Sequence, residues 1–399
     1  IFFYEKFIYL CKKLRLYGDF LSHICAKNDK ICRSRYKFRS YLTKFQPFPA
    51  MKKSTLADVA RLTGLSITTI SRVLNGKSDE YRISKASQAV VYNAIKELNY
   101  HPNHVAQSLR SSSTHTIALL IPRIENPFFA NIASIIIQEA NKFTYPVMVI
   151  DTCENPLDED RALDTLMARN VDGIIMAPCS DTPQRILQVA EQIPVVLIDR
   201  YYEEQGDSQL PYVATDNYAG AFEATNLLIA NGHRNILCIQ GSPFSITSRK
   251  RVEGYCDAMT KAGLQENINV RGNDFSTQNG YIETKLALMS GNPISAIFAL
   301  SSTILLGSIK AVQEQNLSVP QDMSIVSFDN NVFLDYLNPP VTRVCQPIDY
   351  LGIVAVKMLM DSILGKEIAQ PAILLQPTIT FGNSVTVPPN PPVQLISPA

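Results

Sequence analysis

A chain of 399 residues with 46% apolar and 18% charged residues is too long for one small core, and its composition excludes both a disordered chain and a cysteine-stapled miniprotein. The net charge of +1 hides an uneven distribution: residues 1–50 hold eleven Lys and Arg against three Asp and Glu, residues 51–114 nine against four, and residues 115–399 seventeen against twenty-nine. A basic head on an acidic body suits a nucleic-acid-binding module joined to a part that repels phosphate. The eight cysteines show no CxxC or paired spacing, which argues for reduced thiols over a disulfide framework or zinc site. No apolar run reaches the roughly 18–20 residues that cross a bilayer, and nothing reads as a secretory signal. A cytoplasmic protein without membrane contact is expected.

Residues 1–50 mix twelve aromatics with Lys and Arg without a helical or strand period. Met51-Lys52-Lys53 then leads directly into a patterned region, so 1–50 is read as translated upstream sequence, with a genuine basic arm as the alternative. From Thr55 the chain reads TLADVARLTGLSITTISRVLNG. Leu56, Val59, Ala60 and Leu62 recur at helical spacing, and Gly64 ends that helix. Ser66 can cap a second helix, Ile67 to Leu74, whose inward residues are Ile70, Val73 and Leu74. Its open side carries Ser66, Ile67, Thr68, Ser71 and Arg72. Two short helices joined by a glycine turn are expected to form a helix-turn-helix, with an ordinary helical hairpin as the bland alternative. Ser84 can cap a third helix to about Leu98, with Ala89, Val90, Ala94, Ile95 and Leu98 inward. Pro102 ends that headpiece, residues 51–101. The run Asn103 to Arg110 is too short to hold as a helix alone, and Ser111-Ser112-Ser113 reads as a flexible linker.

Beyond Thr116 the pattern alternates. Apolar runs at 117–121, 147–150, 173–177, 195–198, 236–240, 296–300 and 324–328 are separated by helix-like stretches. Strands buried on both faces with helices between them specify parallel sheets in an α/β body. About 270 residues exceed one sheet, so two lobes around a cleft are expected. The proline-rich tail, 385–399, reads as disordered. No GxSxG, HExxH, P-loop or GxGxxG occurs, so neither catalysis nor a cofactor is indicated, and no metal site is expected. His101, His104 and His115 cluster only in sequence.

The order and spacing of TLADVARLTGLSITTISRVLNG, ELNYHPNHVAQSLR, IPRIENPFFANI, VDGIIMAP, VVLIDR, DNYAGAFEAT, NGHRNILCI, RVEGYCDAM, VPQDMSIVSFDN and PPVTRVCQP resemble the lactose-repressor/galactose-repressor (LacI/GalR) family of bacterial transcription regulators, over more than four-fifths of the chain. The resemblance implies a homodimer with an all-α headpiece, a hinge helix and linker at 102–114, and a two-lobed body like periplasmic sugar-binding proteins. Within the body, 115–384, the first lobe is placed at about 115–212 and 344–369 and the second at about 213–343 and 370–384. The implied function is a DNA-binding regulator, usually a repressor, controlled by a sugar or sugar-like effector. A sugar-binding receptor using the same body is the alternative, disfavoured by the basic headpiece.

Arg72 can fork onto guanine or hold a phosphate, while Ser71 and Thr69 can bind backbone oxygens or simply face solvent. By resemblance Ile67 and Thr68 are the base-reading pair, and neither has the reach of Arg, Gln or Asn. More reading by apolar contact and DNA shape is therefore expected. The resemblance adds Thr55, Asn75 and Asn103 to the DNA-contacting set. It makes Ala106 the point of close approach between paired hinge helices, and Leu109 a wedge into a minor-groove base step. It places Asn126, Phe128, Asp199, Arg251, Ser301, Asp329 and Gln346 in the effector cleft, with Phe129 left to the core. Asp199 has a structural alternative, as a cap or interlobe salt-bridge partner. Where the family has Asn-Asp, this chain has Ser301-Ser302, so a carboxylate for sugar hydroxyls is missing. Arg249-Lys250-Arg251 leaves two readings open: an acidic or phosphorylated ligand, or a solvated helix start.

Overall fold

The computed structural model describes residues 54–100, 113–203, 210–290 and 293–389. The chain divides into two units, split between Asn103 and His104.

The first unit contains three helices: α1 (Leu56–Thr63), α2 (Ile67–Leu74) and α3 (Lys85–Glu97). Thr55 and Asp58 close α1 with a reciprocal capping box, and Gly64 ends it in the left-handed conformation at φ +70°. Ser66 then caps α2 by accepting a hydrogen bond from the Thr69 amide at 3.1 Å. The small core joins Val59, Ile70, Val73, Val91, Ala94 and Tyr100, and Ser54 donates to the Leu98 carbonyl, tying the two ends of the bundle together. The inward stripe of α3 is Val91, Ala94, Ile95 and Leu98, and the expected Ala89 and Val90 are exposed. Ile95 and Leu98 follow Val91 by four and seven residues, whereas Ala89 and Val90 lie off that row. Leu62 is likewise exposed, at the margin of the face that Leu56, Val59 and Ala60 turn inward.

The second unit is α/β throughout. Its first stretch runs β1 (Ile117–Ile121), α4 (Pro127–Lys142), β2 (Val147–Asp151), α5 (Pro156–Ala168), β3 (Gly173–Met176), α6 (Gln184–Ala190), β4 (Val195–Ile198) and β5 (Tyr212–Thr215). The next runs α7 (Asn217–Ala230), β6 (Ile236–Ile239), α8 (Ile246–Lys261), β7 (Asn269–Arg271), α9 (Thr277–Met289), β8 (Ala296–Ala299), α10 (Ser302–Glu314), β9 (Ser324–Phe328) and β10 (Thr342–Cys345). The chain closes with α11 (Ile348–Ile363), β11 (Ala372–Leu375) and β12 (Thr378–Thr380).

Two six-stranded sheets result, ordered β11-β5-β4-β3-β1-β2 and β12-β10-β9-β8-β6-β7. All pairings are parallel except β10 with β12. Each sheet is covered on both faces, which is why β1, β3, β4, β6, β8 and β9 are buried along their whole length.

The lobe boundaries differ from those expected. Val213–Thr215 and Ala372–Leu375 belong to the first sheet, and Val344-Cys345 to the second. Chain passes between the lobes therefore fall after Thr215, after Cys345 and after Leu375. The tail reading also needs correction at its start. Thr386 donates from its amide to Ser324 Oγ at 3.1 Å and accepts from the buried His233 ring at 2.8 Å, while Val385 packs on the second-lobe core. Proline content misled there, because hydroxyl and imidazole partners elsewhere in the chain satisfy the backbone. Ser113 is not a free linker residue either. Asp172, at the amino end of β3, accepts hydrogen bonds from the Ser113 hydroxyl, the Thr114 amide and hydroxyl, and the His115 amide. The expected extension 1–50 and the hinge segment from 102 to 112 lie outside the described residues.

Candidate DNA-reading and effector sites

In the headpiece the cap of α2 decides which side chains remain available. The Ser66 and Thr69 hydroxyls bond each other at 2.8 Å, and Asn75 donates to Ser71 at 3.3 Å. The Thr55 hydroxyl is likewise engaged by Asp58. Ser66, Ile67, Thr68 and Asn75 are exposed, and Ile67 keeps 50% of its surface open although it is apolar. Its exposure leaves a branched hydrocarbon on the face where a thymine methyl could pack. Arg72 stands at the last turn of α2 with its guanidinium carbon 3.7 Å from the centre of the Tyr81 ring. Asn103, Ala106 and Leu109 lie outside the described residues.

In the body, the expected effector residues come together. Asn126, Phe128, Asp199, Arg251, Ser301, Asp329 and Gln346 line one small basin, joined by Phe129, Glu154, Arg200, Thr247 and Phe275. Topology explains the convergence. Asn126, Glu154 and Asp199 follow the carboxyl ends of β1, β2 and β4, while Ser301, Asp329 and Gln346 follow β8, β9 and β10. Ligands of open parallel sheets bind at those ends.

The wall from the second lobe is a hydrogen-bonded frame. Asp329 accepts from the Ser302 amide at 3.1 Å, the Ser302 hydroxyl at 3.3 Å and the Gln346 amide group at 2.7 Å. Gln346 in turn accepts from Thr215 at 2.7 Å, so one buried amide ties the end of β5 to Asp329. Arg251 lies over the Phe328 ring at 3.8 Å and donates to the Leu300 carbonyl and to Asn217. Burial pushes its pKa down, against the opposing charges of Asp329 and Asp199. Ser302 stands where the resemblance has Asp. Its neutral hydroxyl supports the Asp329 carboxylate where a second carboxylate would repel it, and Asn331 donates to the same hydroxyl at 2.6 Å.

The wall from the first lobe is differently balanced. Arg200 is buried and forks onto Glu154 at 2.9 and 2.7 Å. Burial opposes its charge, but the Glu154 bonds outweigh that and hold the guanidinium above its ordinary pKa. Asp199 next to it has no such partner. It sits in the left-handed region at φ +65°, is 4% exposed, and its Oδ1 has no hydrogen-bond partner. Burial pushes its pKa up to about 6, although Arg200 and Arg251 pull the other way. Among the described residues no ion pair within 4.0 Å engages it, so Arg200 and Arg251 act on it through space and not by direct pairing. A carboxylate held in a strained conformation without a partner is poised for a ligand's donor.

The basin itself is about 20 Å³, room for a water molecule and too little for a sugar ring. It adjoins a wider cleft of about 650 Å³ that shares Asn126, Glu154, Arg200 and Phe275 and continues past Tyr201, Tyr202 and Phe244. The Arg249-Lys250-Arg251 run does not form one anion site. Arg249 donates to the Phe244 carbonyl, Lys250 pairs with Glu203 and Glu253, and only Arg251 enters the basin.

Four residues were missed by sequence reasoning, for three separate reasons. Phe129 serves both the core and the basin, its ring 5.1 Å edge-on to Phe128. Arg200 and Glu154 form a pair separated by 46 residues, which no local pattern reveals. Phe275 sits in the loop before α9, and its ring packs so closely on Gly241 that a Cβ there would lie 2.2 Å from it. That glycine was the available signal. Among the described residues no group of three or more His, Cys, Asp or Glu could hold a metal, and no helix is long and apolar enough to cross a membrane.

Comparison with known proteins agrees with this division. Residues 55–103 match the model for bacterial regulatory proteins of the lacI family, and residues 114–383 the model for periplasmic binding proteins and the sugar binding domain of the LacI family. The chain is 32% identical over 340 residues to the HTH-type transcriptional regulator DegA of Bacillus subtilis, covering 84% of this chain and 98% of that protein. It is 33% identical over 331 residues to the ribose operon repressor of Escherichia coli, covering 82% and 98%. Among solved structures, the lac repressor dimer bound to operator and the anti-inducer ONPF superposes with a TM-score of 0.75 at 26% identity, covering 84% of this chain and all of that one. A complex of the transcriptional regulator CelR with cellobiose gives 0.62 at 26% identity, covering 83% and 100%. The chain belongs to the LacI family of bacterial regulatory proteins.

Proposed function

We propose that this regulator represses transcription in the cytoplasm by binding a two-fold DNA site as a homodimer, and releases or tightens its grip when a small polyhydroxylated effector enters between the lobes. The convergence of Asp199, Arg251, Asp329 and Gln346 at the strand ends, beside Phe128, Phe129 and Phe275, carries this reading. Carboxylates and an amide accept and donate to hydroxyls, and aromatic faces suit the C–H surface of a sugar ring. Asn126, Ser301 and Glu154 supply further polar contacts around the same space. The lobes must part to admit a ring, so the effector selects among lobe arrangements. It alters DNA affinity only by its differential affinity for them.

DNA contact rests on Ser66, Ile67, Thr68, Thr69, Ser71, Arg72 and Asn75 of α2 and its flanks, with Thr55 beside them. The hinge residues Asn103, Ala106 and Leu109 complete the set by family resemblance. An exposed apolar row on α9 — Ile282, Leu286 and Met289, with Leu306 of α10 — is the face a second copy would cover. The related ribose operon repressor and the cellobiose complex of CelR favour a sugar over other small ligands.

A gel shift with duplex DNA from upstream of the chain's own gene, run against a panel of neutral and phosphorylated sugars, tests the reading. A retarded complex that one sugar strengthens or dissolves is expected. Absence of any shift at low salt, with every ligand, would count decisively against it.

A further inference from the structure

The turn between α2 and α3 carries an aromatic residue that the headpiece core does not need. Tyr81 is 43% exposed and lies outside the buried cluster of Val59, Ile70, Val73, Val91, Ala94 and Tyr100. The backbone nevertheless holds it firmly. Gly76 turns the chain at φ +69°, the Lys77 amide donates to the Arg72 carbonyl at 2.9 Å, and the Tyr81 amide donates to the Lys77 carbonyl at 3.2 Å. The Ile83 amide donates to the carbonyl of the buried Ser78 at 2.8 Å, and Gln88 of α3 donates to the Ile83 carbonyl at 2.9 Å. Arg82, directly after Tyr81, adopts the left-handed φ of +50°. A non-glycine residue held there implies a turn over-determined by its surroundings. The product of that constraint is one contact, the Tyr81 ring 3.7 Å from the Arg72 guanidinium carbon.

From this contact we infer that Tyr81 is a positioning residue for Arg72, and so a determinant of DNA sequence preference lying outside the recognition helix. The inference rests on the DNA-binding reading of α2. A guanidinium stacked on a ring keeps its N–H donors at its edge, directed away from the ring. Among the described residues no hydrogen bond or ion pair engages those donors. Bidentate reading of guanine O6 and N7 needs that edge free and the plane fixed, and the stack supplies both. The demand on Arg72 is high in this chain, because Ile67 and Thr68 present a hydrocarbon and one short hydroxyl where long forked side chains would read bases. Fixing one arginine before binding removes rotamer freedom that would otherwise be lost on the DNA.

Selection of binders from a random-sequence DNA duplex library tests this, using the full chain and its Arg72→Ala, Tyr81→Ala and Tyr81→Phe variants, each first checked for native helix content by circular dichroism. The wild type should enrich a site containing a guanine whose preference vanishes with Arg72→Ala. Tyr81→Ala should weaken preference at that same base by about two- to fivefold, leaving other positions and affinity for unrelated DNA unchanged. Tyr81→Phe should restore it, since the ring face is retained. In Arg72→Ala, removing Tyr81 as well should change nothing further. The inference is overturned if Tyr81→Ala keeps the full guanine preference, if Tyr81→Phe is as impaired as Tyr81→Ala, or if the Tyr81 and Arg72 losses add. Failure of the wild type to enrich any sequence would instead overturn the DNA-binding reading itself.

Discussion

Asp199 concentrates the chemistry of the body in one side chain. Its carboxyl loses more to burial than Arg200 and Arg251 return, which raises its pKa from 3.8 to about 6. The native state therefore keeps a proton that the unfolded chain releases between about pH 4 and 6, so this group makes stability fall as pH rises through that window. A shift of that size corresponds to about 3 kcal/mol at most, fully expressed above pH 6. His233 works in the opposite sense. Burial lowers its pKa below 6.5, so its penalty appears at low pH and disappears as pH rises. A difference between variants isolates the carboxyl. Thermal melts from pH 4.5 to 7.5 should show Asp199→Asn gaining on the wild type as pH rises to about 6 and keeping a constant lead above it. A constant difference across the range would rule out the raised pKa. The same substitution removes an acceptor that a ligand hydroxyl could use, so effector affinity at pH 7.5 should fall about tenfold or more by calorimetry.

Between elements, packing distance is set by residues that a sequence shows only as gaps. The helices α9 and α10 cross through a pair of glycines. A Cβ on Gly280 would lie 2.0 Å from the Ile304 carbonyl oxygen, and one on Gly307 would lie 2.0 Å from that of Thr277. Backbone occupies both spaces, so neither can yield as a flexible side chain would. Gly307→Ala should force the helices apart and destabilise the body by about 1–3 kcal/mol, measured as a lower urea midpoint at unchanged slope. Long, fully apolar strands and capped helices were legible in the sequence, because burial on both faces leaves a continuous run. β5, β7, β10 and β12 were not, since Thr, Asn or Arg interrupts each run, and the apolar but half-exposed β11 was not either. Candidate residues such as Asp329 and Gln346 were legible only through family resemblance, and the Arg200–Glu154 pair only through the fold. In the headpiece, Ala94, Ile95 and Leu98 of the α3 stripe were read correctly, and only its first turns were misplaced, Ala89 and Val90 being named where Val91 is buried.

At the scale of the whole body, regulation requires that lobe arrangement be adjustable, and one exposed contact sits where it could tune that equilibrium. Lys250 on α8 belongs to the second lobe, and Glu203 follows β4 in the first. Their charged groups meet at 2.8 Å, with Glu253 2.9 Å from the same ammonium. Their sequence neighbours Arg249 and Tyr202 both line the cleft. The two glutamate bonds raise the Lys250 pKa, so the charge persists across physiological pH. Both side chains are partly exposed, so the pair is worth less than about 1 kcal/mol and is weakened by salt. That size suits a bias rather than a lock: it shifts a two-state equilibrium up to about fivefold without abolishing either state. Glu203→Lys should expand the body measurably in small-angle X-ray scattering, and the exchange Glu203→Lys with Lys250→Glu should recover part of the compact form. Recovery is incomplete because Glu253 then faces a glutamate at position 250. Raising the salt concentration should narrow the difference between the wild type and Glu203→Lys, because it screens the attraction in one and the repulsion in the other. Identical scattering from all three proteins at low salt would show that the pair reports lobe closure without influencing it.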